Sequence, residues 1–251
     1  MKKVLFLLFV VFTNSSIYAQ TETDRNQNTE GSAKKNIVKL NFPALAFKNF
    51  TVQYERAIAK KITLAGTFRL MPKGSIPFKS AFIKAANDPD VERQINNLKV
   101  GNMAFMPELR FYLGKRGAFH GFYLAPFASI AKYDADLIFE YDDNSAIKTI
   151  PLSGSVNSLT GGLMMGAQWK LSKSLYLDWW ILGANYGNSK GDITGKKTLN
   201  TSEQQSLRDE LASLDIPLTN FTYIVDGNGA TLNFKGPWGG IRAGICLGIN
   251  F

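Results

Sequence analysis

The sequence has little of what most enzymes and metalloproteins use for chemistry. Its 251 residues include one cysteine and one histidine. A single cysteine excludes a disulfide within the chain, and no His, Cys, Asp or Glu residues stand at metal-ligand spacing. The closest acidic pairs, Asp88 with Asp90 and Asp142 with Asp143, are interpreted as a helix cap and a loop tip. We therefore expect neither a metal nor a cofactor.

A long apolar run is also missing after the first residues. Lys2 and Lys3 precede an apolar stretch at 4–12, and a small residue, Ala19, comes before Gln20. This pattern predicts a signal peptide at 1–19 that is cleaved near Ala19 after Sec export. No later stretch is long enough for a transmembrane helix. If the mature protein resides in a membrane, it must cross with strands.

The charge is positive but not concentrated. The formal net charge is +9 and falls to +7 without Lys2 and Lys3. Because the Lys and Arg residues are scattered and the chain is exported, nucleic acid is not an expected partner. Residues 20–35 lack apolar periodicity and are predicted to be a disordered periplasmic lead. Residues 36–251 are predicted to form one domain.

Strict alternation dominates that domain, most clearly at its end. Ile241, Ala243, Ile245, Leu247 and Ile249 alternate with small and polar residues up to Phe251. One face of such a strand is apolar and the other polar. Eight segments read this way, which predicts an all-β, eight-stranded antiparallel up-and-down transmembrane β-barrel. A soluble sandwich, with the apolar faces buried between two sheets, is the alternative.

The connections between these segments differ in length. Those after the second, fourth and sixth strands are short, whereas 72–101 and 189–230 are long and carry predicted helices. The connection after the first strand is an exception, because it is short where a long one would fit better. Asp88 would cap the first helix, with Val91, Ile95 and Leu98 on one face. The second would begin with a capping box of Thr201 and Gln204. Its apolar stripe is Leu207, Leu211 and Leu214. Short turns on one side and long loops on the other are typical of outer-membrane barrels.

The polar faces carry many charges. Eight inward side chains are predicted to form a structural ion network in the lumen: Lys39, Glu55, Arg69, Glu108, Arg110, Lys170, Asp178 and Arg242. A lipid-carrying soluble barrel would need an apolar interior, where these charges would be costly. An eight-stranded barrel is just wide enough for side chains to fill. We therefore predict paired charges and no open pore.

Several stretches resemble a known family. They are 39–58 (KLNFPALAFKNFTVQYERAI), 106–114 (MPELRFYLG), 121–133 (GFYLAPFASIAKY) and the closing 240–251 (GIRAGICLGINF). They resemble the OmpA-type eight-stranded outer-membrane barrels of Gram-negative bacteria, and within them an uncharacterised family of Bacteroidota. The resemblance implies that Phe251 is a signal read by the barrel-assembly machinery, and it brings no catalytic motif. Because the last predicted strand reaches Phe251, we expect the chain to differ from OmpA in lacking the peptidoglycan-binding domain that follows the barrel there.

These observations predict an outer-membrane protein with a structural or interaction role. Its expected partners are outer-membrane lipid, the assembly machinery and envelope proteins that meet the loops. Three alternatives stay open: a lipid-modifying barrel enzyme, a narrow channel and a soluble periplasmic lipid-binding barrel. For an enzyme, the paired inward carboxylates could perform acid and base work, but a filled lumen denies them a substrate. The lone His120 is predicted at a periplasmic turn, away from the outer leaflet.

Overall fold

The structure is a computed structural model that describes residues 34–87, 92, 95–143, 146–213 and 221–251. The predicted signal peptide and most of the predicted lead lie outside these ranges. The described residues form nine antiparallel strands. They are β1 (Asn36–Asn41), β2 (Phe50–Ala59), β3 (Ile62–Ser75), β4 (Lys99–Tyr112), β5 (Gly121–Asp143), β6 (Ala146–Lys170), β7 (Leu175–Lys196), β8 (Phe221–Asp226) and β9 (Gly229–Asn250).

The strands form one sheet that closes into a ring. Each strand from β1 to β6 pairs with the next, β7 pairs with β9, and β9 pairs back with β1 and also with β8. The closing register runs from Ile37 opposite Asn250 to Asn41 opposite Cys246. Closure leaves β1 and β9 without an open edge at this seam, so their backbone groups are paired there.

The predicted count of eight strands is wrong, because β8 was not foreseen. Asp226 and Gly229 flank a two-residue turn, as the Asp-Gly-Asn-Gly sequence predicts. The segment before the turn was assigned to a loop, yet Phe221–Asp226 pairs with the start of β9. Its outward-to-inward alternation is too short to distinguish a strand from a loop by sequence alone.

Alternation holds along most strands but changes at a bulge in β7. The pairing of β7 shifts register there against both neighbours, between Met165 and Gly166 on the β6 side and between Trp180 and Gly183 on the β9 side. A bulge adds a residue on one strand and exchanges the two faces beyond it. For this reason Leu182, predicted to point inward beside Trp180, points outward and is 48% exposed.

Three helices with defined bounds connect the strands: α1 (Phe42–Ala46), α2 (Lys79–Ala86) and α3 (Thr201–Ala212). Neither α1 nor α2 was predicted. The predicted cap Asp88 and Val91 lie outside the described residues, although 92 and 95–97 are helical. Helix α3 was predicted, but its capping box is formed by Asn200 and Glu203, one residue earlier than expected. None of the helices in the described ranges has the length and apolar character to span a membrane.

The two faces of the sheet exchange polarity along the longest strands, β5, β6, β7 and β9. We call the connections β2–β3, β4–β5 and β6–β7 the short turns, and the opposite ends of the four longest strands the long hairpins. Near the short turns, β6 turns Leu163 and Trp169 outward and Gln168 inward. Nearer the other end, the same strand buries Ile150 and Leu152 and leaves the residues between and beside them exposed. Strand β5 changes in the same way: Phe122, Leu124 and Ile130 are exposed, whereas Phe139 and Tyr141 are buried.

The interior therefore has two differently filled parts. A charged part lies near the short turns. An apolar core lies near the long hairpins, where α3 packs over the ends of β5, β6, β8 and β9. Its buried members are Phe139, Tyr141, Ile150, Leu152, Val156, Leu199, Leu207, Leu211, Val225, Ala230, Leu232 and Phe234.

Candidate functional site: the charged interior

Five strands place six charged side chains at one level inside the ring. Lys39 is on β1, Glu55 on β2, Glu108 and Arg110 on β4, Asp178 on β7 and Arg242 on β9. Each stands on the inward face of its strand, opposite the exposed apolar residues. None exceeds 7% exposure. We call these six residues the ion network.

Arg110 is the centre of the ion network. Its Nη1 lies 2.7 Å from Asp178 Oδ2 and 3.1 Å from Glu55 Oε2. Lys39 Nζ lies 2.6 Å from the same Asp178 oxygen and also pairs with Glu55. Two cations and two carboxylates thus share one cluster of contacts that ties β1, β2, β4 and β7 together.

Glu108 extends this cluster toward the long hairpins. Its Oε1 accepts hydrogen bonds from Arg110 Nε at 2.6 Å and from Gln53 Nε2 at 2.8 Å. Its Oε2 pairs with Arg242 Nη1 at 2.5 Å. The guanidinium of Arg242 also lies over the Trp180 ring, 4.0 Å from its centroid. Glu108 therefore links the two arginines, and both its oxygens are occupied.

Neutral side chains complete the hydrogen bonding. The Tyr112 hydroxyl donates toward Glu55 over 2.7 Å, and Tyr123 donates to Asp178 over 2.8 Å. Trp180 Nε1 donates to Asp178 over 3.0 Å. These residues were not among the predicted members. The alternation already placed Tyr112 and Trp180 on the inward face, so their position could have indicated the role.

A glycine makes room for one of these donors. Gly166 on β6 stands opposite Tyr123 on β5, and a Cβ atom at Gly166 would collide with the Tyr123 hydroxyl and with Trp179 O. The missing side chain lets the tyrosine ring lie flat against the wall and reach Asp178. The Arg110 guanidinium then covers that ring, 4.4 Å from its centroid.

Two of the eight predicted members stand apart from the ion network. Lys170 is exposed, because it occupies the last position of β6, where the inward face opens to solvent at the ring's end. Arg69 is on the inward face of β3 but forms no ion pair in the described part of the chain, and its Nε has no hydrogen-bond partner there. The prediction that both join the network does not match their positions.

The charges of the ion network compensate one another. Three cations face three carboxylates, and each carboxylate contacts at least one cation and one neutral donor. Removing one partner of such a cluster leaves a buried charge without compensation, which is strongly destabilising. Cys246 is buried beside this level and packs with Tyr112, Tyr123 and Trp180.

His120 lies in the turn between β4 and β5, as predicted. Its Nδ1 is 2.9 Å from Ala118 O, and its ring contacts Tyr176 edge to face with centroids 6.0 Å apart. In the described ranges no hydroxyl or carboxylate is hydrogen-bonded to this ring. Groups of three or more His, Cys, Asp or Glu that could hold a metal are likewise not found within those ranges.

Helix α3 is attached to the hairpins by charge as well as by apolar contact. Lys148 Nζ on β6 lies 2.9 Å from Glu203 Oε1 and 3.0 Å from Asp143 Oδ2. Asn200 N donates to Glu203 Oε2, and Glu203 N donates to Asn200 Oδ1, each over 2.9 Å. The Asn200 backbone bond, followed by Lys148, lowers the pKa of Glu203. These contacts fix the start of α3 over its apolar core.

A family model described as a protein of unknown function, DUF3575, matches residues 6–211. This match covers β1 to β7 and nearly all of α3. Among curated proteins, none matches the chain.

Proposed function

The chain belongs to the DUF3575 family, and we propose that it is an integral outer-membrane β-barrel protein with a structural or interaction role. In this proposal the closed ring is the barrel, its outer surface contacts lipid, and the long hairpins with α3 stand outside the cell. Export depends on the signal peptide at 1–19, and the lead at 20–35 stays in the periplasm.

The observation that carries the proposal is the exchange of polarity along the strands. Near the short turns the outer surface is apolar and the interior charged, which is the reverse of a water-soluble fold. The apolar outward stretch runs over 122–130 on β5 and 159–169 on β6. Tilted transmembrane strands need about 9–11 residues to cross the hydrocarbon, and these stretches have that length. Beyond them most outward residues are polar, such as Lys132 and Asn157, although Ile138 and Ile147 are exposed as well.

Aromatic side chains on the outer surface support the same placement. Tyr54, Phe111, Phe122, Trp169 and Phe251 are 38–59% exposed and lie toward the short turns. Aromatic girdles mark the interfaces of membrane barrels. We propose that this group lies at the periplasmic interface and that Phe251 is recognised by the barrel-assembly machinery.

The ion network argues for a closed lumen within this proposal. Lys39, Glu55, Arg110 and Asp178 are at most 1% exposed and contact one another across the ring. Their compensation of charge supports a structural role, without catalysis and without conduction. An interaction role is then assigned to the outside hairpins, whose partners would be envelope proteins or the surroundings.

The test is fractionation of cell envelopes followed by electrophoresis of boiled and unboiled samples. The proposal predicts a protein in the outer-membrane fraction that migrates differently after boiling, because a closed barrel resists detergent until it is heated. A protein in the soluble periplasm with no heat-dependent shift would overturn the proposal and favour the soluble lipid-binding barrel.

A further inference from the structure

A small cavity lies directly above the ion network, on the side of the long hairpins. Its volume is about 50 Å³. That is room for one small ion with a few waters, since a single water needs roughly 10–15 Å³ by the same kind of measure. The residues that matter here are Arg69, Ser129, Tyr133, Thr160, Asn185 and Arg242.

The charge around the cavity is unbalanced. The six residues of the ion network contribute three positive and three negative charges. Arg69 adds a fourth positive charge from β3 and is not in an ion pair within the described ranges. Neither Asp nor Glu occurs among the residues that line the cavity. The cavity wall is therefore cationic, which disfavours a metal ion and favours an anion.

Two guanidinium N–H groups at this level have no hydrogen-bond partner among the described residues. Arg69 Nε and Arg242 Nε are both buried, and neither is hydrogen-bonded to another described residue. A buried donor without a partner is costly, so such groups normally face an acceptor.

Arg242 is held in a fixed orientation. Its Nη1 is engaged by Glu108 and its Nη2 donates to Thr67 over 2.9 Å. Its guanidinium also lies on the Trp180 ring. Because these contacts fix the planar group, the direction of its Nε–H is fixed as well. The arrangement preorganises one donor, and Arg69 supplies the second.

We propose that this cavity is a binding site for a small monovalent inorganic anion of the size of chloride. The anion accepts hydrogen bonds from Arg69 and Arg242 and compensates the fourth positive charge. The hydroxyls of Ser129 and Thr160 and the amide of Asn185 offer further donors on the wall. Tyr133 and Trp238 pack on each other on the side of the long hairpins, with ring centroids 5.0 Å apart. The site requires the folded ring and is independent of where the protein resides in the cell.

The test uses the full mature chain folded in detergent micelles, with urea unfolding followed in sodium chloride or sodium gluconate at equal ionic strength. Gluconate is too large for the cavity. An anion that binds the folded state alone lowers the unfolding equilibrium constant about elevenfold at ten times its dissociation constant. We expect a saturable chloride-dependent rise of the unfolding midpoint in the parent protein, lost in Arg69→Gln. The control Lys170→Gln removes an exposed charge and keeps the chloride dependence.

A second measurement does not depend on a variant folding correctly. Crystals of the parent protein soaked in bromide should give an anomalous peak between Arg69 and Arg242. Equal midpoints in chloride and gluconate would overturn the proposal. So would a chloride effect unchanged by Arg69→Gln, or bromide found on the outer surface with none in the cavity. None of these results bears on the outer-membrane proposal, which envelope fractionation tests separately.

Discussion

The interior near the short turns and the interior near the long hairpins are filled by opposite kinds of side chain. Around Arg110, charged and hydroxyl groups contact one another and the outer surface is apolar. Around Leu207, apolar side chains from four strands and α3 pack together. Strands β5 and β6 run through both regions, so one chain segment changes its environment along its length.

The difference shows how the two parts of one sheet can be stabilised in different environments. Where a single layer of strands turns its apolar side outward, the interior must be stabilised by paired charges and hydrogen bonds. Where the hairpins extend beyond that zone, α3 covers their inner face, and ordinary apolar burial stabilises it. Substitutions in the ion network should therefore destabilise the whole fold, whereas substitutions beneath α3 should destabilise that region alone.

The largest expected effect is at the centre of the ion network. Arg110→Met leaves Glu55, Glu108 and Asp178 short of a cation, and breaking a buried ion cluster costs about 3–5 kcal/mol. We expect a loss of that size in the free energy of unfolding, measured by urea titration in detergent micelles with tryptophan fluorescence. Arg116→Met, at an exposed turn, is the matched control.

A second substitution sharpens this result. Adding Asp178→Asn to Arg110→Met removes one of the uncompensated carboxylates, so part of the lost stability should return. If the double variant lost as much as the sum of its single substitutions, Arg110 and Asp178 would not be coupled, contrary to their 2.7 Å contact.

The next effect belongs to the apolar core. Leu207 is fully buried, and Leu207→Ala should cost about 2–4 kcal/mol through lost burial and a cavity. Because α3 covers only the hairpin ends, the loss should appear as faster amide exchange in α3 and β8, with exchange in β2 and β3 unchanged. Uniformly faster exchange would mean that the two regions unfold as one. Ala212→Gly on the exposed side of α3 separates helix propensity from burial.

A smaller effect is expected at the start of α3. Asn200 accepts from Glu203 N and forms a capping box with it, so Asn200→Ala should destabilise the helix by about 1 kcal/mol. The variant should show reduced amide protection in the first turn of α3 and normal heat-modifiable migration. Asn200→Ser, which retains a capping oxygen, should be close to the parent protein.

The smallest effect is a pH dependence confined to α3. Asn200 and Lys148 lower the pKa of Glu203, so the folded state favours the carboxylate over the unfolded chain. The resulting stabilisation is present above the unfolded pKa of about 4.3 and is lost as pH falls through the folded pKa. Protection factors in α3 should decrease over that acidic range. The decrease should be smaller in Glu203→Gln, where Asp143, whose pKa Ser202 and Lys148 lower, still titrates. An equal decrease in both proteins would assign the pH dependence to another group.

Much of the wall could be predicted from the sequence, because alternation is a local signal. Lys39, Gln53, Glu55 and Arg110 are buried on the face that their spacing predicts. The same signal cannot say where a bulge reverses the faces, which is why Leu182 was misplaced. Alternation also does not show where a strand ends relative to its neighbours. Lys170 is exposed because it is the last residue of β6, at the end of the ring.

The change of the interior from charged to apolar could not be predicted from the spacing of residues along a single strand. It depends on β5 and β6 being longer than β1 and β2, so that their ends rise above the ring and receive α3. The capping box of α3 was misplaced by one residue for a similar reason. Thr201 and Asn200 are both good caps, and tertiary contact of Glu203 with Lys148 favours the earlier one.

The outer-membrane proposal depends most on whether the outer face of the wall meets lipid, and two adjacent tryptophans test it. Trp179 is 44% exposed on the outer surface, whereas Trp180 is 2% exposed in the interior. Variants that keep one of these and replace the other tryptophans with Phe can be folded into vesicles of lipids brominated along their acyl chains. The account predicts strong quenching of Trp179 fluorescence and little quenching of Trp180. Equal quenching of the two, or none of Trp179, would contradict it.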